Sequence, residues 1–538
     1  MKNLFKKISA LVLAAIMVLS MCTAVFASMG DMKGTIPSPD DKGKVTISGI
    51  ESGDTVKLYK IVKANYNTYG FYGYSAVVDK TIADTTTYIP TAKEIADLAN
   101  NDEITKAESA SVVAKGSSVE ITNLEVGSYL VKVIAGKDNI TVYNPMVVTV
   151  SYVSANDTTK ILYGTVSADS DYVVNGSKAY VKSSKDTIPD KKIVDTTGNV
   201  IVNGEAAGKG DAVAKGDTVN YKISGIIPSY NRDYYKTASY VISDTISEGL
   251  DFADGTQAKL QTQANTLFGE GKATVAVNGR TITITLDSAY ILSLANKTAD
   301  SLTNNDGRKY EFIYSAVLNG KSVNFDASTN TVHVNYTNKP DNATDSEKAE
   351  TYHYTFNFNG EVQKVGPNNE VLPGAVFGLF TDEECKTAAY YANDAKKTQI
   401  KATSANGTGA INFTGLDDKA YYMKEIETPS SEYKLNDTVY KIEFAPKFNA
   451  DGSMLEYKVT VKDLKTGTEI SNTYVKEGLK PGENGETPVI NITKIQNTKL
   501  GSLPSTGGMG TYLFTIVGVV LMTCAAGAFF VSRRKTNK

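Results

Sequence analysis

The chain has 538 residues, 41% hydrophobic and 21% charged, with a formal net charge of −3. That is apolar material for several cores, and the composition is not that of a disordered chain. Between Ser28 and Thr506 it carries 49 Lys and Arg against 59 Asp and Glu, an acidic balance that argues against phosphate-backbone binding, so nucleic acid is not expected as a partner.

Three cysteines, two histidines and no tryptophan complete the inventory. Cys22 and Cys524 fall in apolar runs at the two ends, which leaves Cys385 alone in the middle and rules out an intrachain disulfide there. Cys385 stands beside Glu383 and Glu384, a poor setting for a reactive thiolate. His333 and His353 share no metal-ligand spacing, and structural use of both is expected. Neither a metal nor a cofactor is called for.

Residues 1–27 place Lys2, Lys6 and Lys7 ahead of an uncharged apolar run that closes on Val25-Phe26-Ala27. This is the layout of a secretory signal peptide, with cleavage expected after Ala27. The next 479 residues, Ser28 to Thr506, suit three domains of roughly 160 residues. Segments of period two recur at Lys44–Ile47, Met146–Val150, Thr218–Ile223, Thr281–Leu286 and Tyr457–Val461. Their Gly, Asn and Asp breaks indicate an all-β chain of antiparallel sandwiches. Two short helical patterns, Thr91–Asn100 and Asp287–Asn296, read as excursions between strands. Polar stretches put the domain boundaries near Lys185 and within Asn342–Glu350, giving domains 28–185, 186–348 and 349–502. The Gly- and Pro-bearing stretch Glu477–Pro488 reads as a loop within the third, because a last strand, Val489–Asn497, must pair after it.

At the far end, Thr511–Val531 is 21 residues without a charge, enough to cross a hydrocarbon core of about 30 Å. Arg533-Arg534-Lys535 follows it and keeps the bulk of the chain outside. Leu503-Pro504-Ser505-Thr506-Gly507 stands just before. This order of motif, apolar span and basic tail resembles the cell-wall sorting signal of Gram-positive surface proteins. The resemblance implies that a sortase cleaves between Thr506 and Gly507 and holds Thr506 as a thioester for an amine to attack.

The third domain reads Lys364, then Leu372-Pro373-Gly374-Ala375-Val376-Phe377, then Tyr421-Tyr422-Met423-Lys424-Glu425 ahead of Pro429. It resembles the B-type repeat of collagen adhesins, which implies an isopeptide bond between Lys364 and Asn497 promoted by Glu425. The second domain opens with Lys191, holds Asp244 in Ser243-Asp244-Thr245-Ile246-Ser247-Glu248-Gly249-Leu250, and closes on Tyr336-Thr337-Asn338-Lys339-Pro340. Similar segments of Gram-positive backbone pilins imply Lys191 and Asn338 as bond partners and Asp244 as the promoting acid. Lys192 competes with Lys191, because alternation alone does not say which of the two faces inward. The chemistry suits the residue types. Burial strips a lysine of its proton and frees a nucleophilic amine, and a buried carboxylic acid can polarise the amide carbonyl and pass protons to departing ammonia.

The first domain offers no such set; its Glu125 stands in a strand-like segment without a visible partner pair. It carries Tyr143-Asn144-Pro145 and, near its end, Tyr180-Val181-Lys182. Backbone pilins polymerised by a class C sortase have a similar order, although Val181 stands where the family has proline and the tryptophan that often opens its motif is missing. The resemblance implies that Lys182, or else Lys185, attacks the Thr506 thioester of another copy. Its implied partners are a class C sortase, other copies of the chain head to tail, minor pilins, peptidoglycan through a housekeeping sortase, and a host receptor. The chain is then a structural pilus shaft subunit that supports adhesion, and its only chemistry of its own is single-turnover. The alternative is a monomeric wall-anchored adhesin that binds a host ligand.

Overall fold

The computed structural model describes residues 34–136, 140–186, 189–295, 307–322, 327–339, 342–358, 362–475, 493–500 and 515–526. It resolves into two compact units, one running to Phe356 and taking in Pro446–Tyr457, the other built from Asn357–Ala445, Lys458–Tyr474 and the chain from Thr487. The architecture is all-β, built of sheets that pack face to face with a few short helices between strands.

In the first unit, Lys42–Ser48 pairs antiparallel with Ser118–Glu125 and parallel with Lys178–Tyr180. It faces a larger sheet in which Tyr172–Gly176, Met146–Ser154, Gly127–Ile134, Thr55–Asn67 and Gly70–Ala76 follow one another. Val45, Ile47, Val56, Leu58, Val131, Val150 and Tyr152 fill the space between these sheets. A helix, Ala92–Ala99, packs Ile95, Leu98 and Ala99 with Tyr59, Ile61, Leu130 and Val147 of the larger sheet. Thr91 caps it with a capping box to Glu94, and Ile95, Ala96, Leu98 and Ala99 form its buried side, so a hydroxyl followed three residues later by a glutamate starts the helix where the sequence predicts.

A second sandwich lies in the same unit. One sheet runs Asp190–Val194, Thr218–Ile226, Lys309–Leu318, Leu250–Phe252; the other runs Gly210–Ala212, Asn342–Tyr354, Ser328–Lys339, Tyr240–Ile246, Thr281–Leu286, Ala273–Asn278. Tyr310, Phe312, Tyr314, Ala316 and Leu318 alternate inward from one long strand toward Ile242, Val332 and Val334. Val142 joins this core, and the Tyr235 hydroxyl donates to the Tyr143 carbonyl at 2.9 Å.

The stretch Asn342–Glu350, where a domain boundary is expected, lies in the strand Asn342–Tyr354, antiparallel to Ser328–Lys339 with Val332 opposite Ala349 and Thr329 opposite Tyr352. Its polar composition disguises a hairpin arm. A helix that the sequence does not announce, Thr256–Phe268, buries Leu260, Ala264 and Phe268 one turn apart, behind a left-handed Gly255 with no side-chain cap.

The second unit holds all but Pro446–Tyr457 and Val475 of a six-stranded sheet in the order Lys401–Thr403, Val376–Phe380, Tyr421–Glu427, Tyr440–Phe448, Met454–Asp463, Glu469–Val475. Beside it, Val362–Val365 pairs parallel with Thr493–Gln496, with Lys364 opposite Ile495. The start and the end of the unit are therefore neighbours.

Candidate functional site: two buried lysine–acid–asparagine clusters

Three lysines are buried among the described residues: Lys132, Lys191 and Lys364. Lys132 donates to the carbonyl of Ala99 at 2.8 Å, at the C-terminus of a helix where a cation is welcome. The other two each meet an acid and an asparagine.

Strand pleating settles which of Lys191 and Lys192 faces in. Lys191 is opposite Ile223 and Lys192 opposite Lys222. Lys191 therefore points into the sandwich with a fully buried side chain, whereas Lys192 reaches Asp190 at 3.6 Å on the surface. The Lys191 amine donates to Asp244, to the side-chain oxygen of Asn330, and to the Tyr314 hydroxyl at 3.0 Å. Tyr314 in turn donates to Asp244 Oδ1 at 2.8 Å and accepts from Asn330 Nδ2 at 2.6 Å. Lys191 and Tyr314 belong to one sheet, Asp244 and Asn330 to the other, so the cluster joins the two layers.

Asn330, not Asn338, is the asparagine at Lys191. Both lie on Ser328–Lys339, eight positions apart, which at the usual rise along a strand is roughly 26 Å. The backbone of Asn338 belongs to the described strand, and its side chain lies outside the described residues. Sequence alternation alone allows both, an even number of positions apart. The register decides, since Asp244 is opposite Val332, two residues from Asn330.

Burial pushes the Lys191 ammonium down to about 8, against the opposing pull of Asp244. The same burial pushes Asp244 up, Lys191 working the other way. Both shifts favour a neutral amine beside a neutral acid. Tyr221, stacked on Tyr314 with ring centroids 5.4 Å apart, forms the wall behind the amine and shares a 2.9 Å hydrogen bond with the His353 ring.

His353 is buried and its pKa is lowered from 6.5 to about 3, first by desolvation and then by Lys191. The unfolded imidazole takes up a proton at a pH where the folded one cannot, so the stability held by the neutral ring is present above pH 6.5 and drains away toward pH 3. Denaturant midpoints should fall across that window in the wild type and fall less steeply in His353→Gln.

The second cluster sits in the second unit. Lys364 donates to Asn497 Oδ1 at 2.6 Å, Asn497 Nδ2 donates to Glu425 Oε1 at 2.9 Å, and the amine lies 3.7 Å from the same oxygen. Lys364 is held by its backbone on both sides, donating to Gly409 and accepting from Leu372. Gly409 must be glycine: its φ is +68° and a Cβ would stand 2.5 Å from the Lys364 carbonyl oxygen. Asn497 continues the last strand, its N–H donating to Val365. Glu425 shares the inward phase of Tyr421 and Met423, opposite Phe377, whose ring lies 5.5 Å from the amine. The Glu425 Oε2 accepts from the N–H of Asn436 at 2.7 Å. Burial lowers Lys364 to about 8 against the opposing pull of Glu425.

Lys182 is exposed, one residue beyond the buried Val181. Its backbone is pinned from two directions: the Val181 N–H donates to Ser48, and the Lys182 carbonyl accepts from Asn144. The two segments that the sequence reading singles out in the first domain thus touch. Lys185 lies on Ser183–Asp186, paired with Ile140–Tyr143, its side chain outside the described residues. Glu125 does have partners, Lys60 at 2.5 Å and Lys42 at 3.3 Å, but these pairs are on the surface. Cys385 has a cation in range, Lys424, yet burial outweighs it and raises the thiol.

Residues 1–27, expected to be a signal peptide, and the motif Leu503–Gly507 lie outside the described residues. Residues 515–526 are helical; among the described residues no helix is long and apolar enough to cross a membrane.

Residues 40–183 match the T6 antigen Ig-like domain, residues 359–472 a prealbumin-like fold domain, and residues 495–538 the LPXTG cell wall anchor motif. The trypsin-resistant surface T6 protein of Streptococcus pyogenes serotype M6 is 26% identical, over 96% of this chain and 99% of its own length. Among solved structures, the T6 backbone pilin of serotype M6 Streptococcus pyogenes superposes with a TM-score of 0.55 at 19% identity, covering 86% of this chain and 100% of that one. The major pilin SpaD of Corynebacterium diphtheriae gives 0.43 at 17% identity, covering 87% and 100%.

Proposed function

We propose, for a chain that belongs with the LPXTG-anchored backbone pilins of Gram-positive bacteria, a pilus shaft subunit clamped internally by two lysine–asparagine isopeptide bonds, Lys191–Asn330 and Lys364–Asn497. The chain is a cell-wall-anchored surface protein and a structural component of the pilus. A class C sortase would join the Thr506 carbonyl of one copy to the Lys182 amine of the next, minor pilins would share the fibre, and a housekeeping sortase would fix its base to peptidoglycan.

One observation carries the clamp reading: two lysines in one chain are each buried against a carboxyl group with an amide oxygen in hydrogen-bond contact. The neutral amine attacks the amide carbon, the acid shields the developing oxyanion charge and moves a proton, and the amide nitrogen leaves as ammonia. Nothing else is consumed. The product is one new C–N bond per cluster in exchange for the broken one.

Intact mass and peptide mapping of residues 28–506 test this, since each bond removes one ammonia. Two losses, mapped to Lys191–Asn330 and Lys364–Asn497, are expected, and their complete absence would sink the clamps. Asn330→Ala should abolish the first crosslink outright, whereas Asn338→Ala should leave it intact; the reverse pattern would restore the assignment implied by the YxNxP segment.

A further inference from the structure

The two clusters differ in one atom-level respect. In the second unit a single oxygen, Glu425 Oε1, lies within reach of both the Lys364 amine and the Asn497 amide nitrogen. Asp244 is one methylene shorter. It meets Lys191 through Oδ2 and Tyr314 through Oδ1, and among the described residues the amide nitrogen of Asn330 reaches it only through the Tyr314 hydroxyl.

We infer that Tyr314 is a catalytic proton relay for the Lys191–Asn330 bond, its hydroxyl supplying the reach that aspartate lacks. The inference rests on the reading of Lys191 and Asn330 as bond partners. The proton must travel from the attacking amine to the departing amide nitrogen. Lys191 Nζ gives a proton to Asp244 Oδ2 as its bond to Asn330 Cγ forms; once the Tyr314 O–H has turned from Asp244 Oδ1 toward Asn330 Nδ2, the acid gives its own proton from Oδ1 to the Tyr314 oxygen and Tyr314 gives its phenolic proton to Nδ2, which leaves as ammonia. Asp244 ends protonated and Tyr314 ends as a neutral phenol, so neither is consumed. Burial holds the phenol well above its ordinary range, which suits a group that passes protons on without resting as phenolate. The hydroxyl is fixed in place. Tyr314 stacks on Tyr221, sits opposite it in the cross-strand register, and meets Phe252 edge-on at 5.8 Å.

The test follows crosslinking with time after a pulse of synthesis, on residues 28–506, by intact mass and peptide mapping. Tyr314→Phe keeps the stacked ring and should slow the Lys191–Asn330 bond about a hundredfold, the usual worth of a positioned acid–base group, with Lys364–Asn497 forming at its wild-type rate. Adding Asp244→Glu to Tyr314→Phe should restore the rate, because the longer acid can then touch both nitrogens as Glu425 does; a hydroxyl that only shaped the pocket would not be replaced in this way. Wild-type speed in Tyr314→Phe, or a double variant as slow as the single one, overturns the relay. Absence of the Lys191–Asn330 crosslink from the wild type itself overturns the bond along with it.

Discussion

Glu425→Gln is expected to fold and yet to lose the Lys364–Asn497 crosslink, so that one ammonia instead of two is missing from its mass. Glutamine matches the shape and its oxygen can still accept from the N–H of Asn436, but an amide cannot take and return a proton between the Lys364 amine and the Asn497 nitrogen. The crosslink closes a loop between residues 133 positions apart, and the chain entropy removed from the unfolded state corresponds to about 5 kcal/mol. Spread over a domain of this size, that is a fall in Tm of roughly 15–20 °C. Calorimetry on the two proteins reads it directly. An unchanged mass and an unchanged Tm would show that the buried trio is a satisfied polar core and nothing more.

Lys182→Arg should abolish high-mass covalent ladders in cell-wall extracts and leave the monomer's clamps and stability as they were. Arginine keeps the positive charge and the length of an exposed side chain, so packing is untouched, but its guanidinium stays protonated and is no nucleophile toward a thioester. The backbone at Lys182 is tied to Ser48 through Val181 and to Asn144, so the amine projects from a fixed platform. Lys185→Arg should polymerise normally. If Lys185→Arg removes the ladders and Lys182→Arg does not, the joining amine is the later lysine. If neither does, the subunit is joined elsewhere, or reaches the wall as a monomer.

Much of this was legible in the residues. Period-two alternation marks Thr218–Ile223 and Thr281–Leu286, which pair with the strands that carry Lys191 and Asp244, and Thr91 and Asp287 announce the two helices they cap. What stayed hidden depended on partners distant in sequence. Asn330 and Asn338 stand an even number of positions apart in the sequence, and only the register that sets Val332 opposite Asp244 brings Asn330 to the acid. Lys191 and Lys192 part company only once the strand has a sheet to face. Tyr314 looks like any inward aromatic of its strand beside Tyr310 and Phe312. The helix Thr256–Phe268 begins after a glycine and is rich in Gln and Thr, so neither its cap nor its composition draws the eye.

Lys191 on an edge strand and Asn330 on the opposite sheet come together only when both layers of the sandwich are in place. The proposed bond, which needs this meeting, would work as a ratchet: it would be closed to a misfolded chain, and once through it a chain would keep a permanent mark of having been correct. No reductant erases that mark, unlike a disulfide. A chain carrying it that is later unfolded retains a closed loop of 139 positions, so the longest-range encounter of its folding is already made and its second folding begins nearer the goal than its first. In fibres joined through Lys182 and Thr506, load would cross the two bonds and bypass the strands enclosed between 191 and 330 and between 364 and 497, so those strands would stay folded under tension.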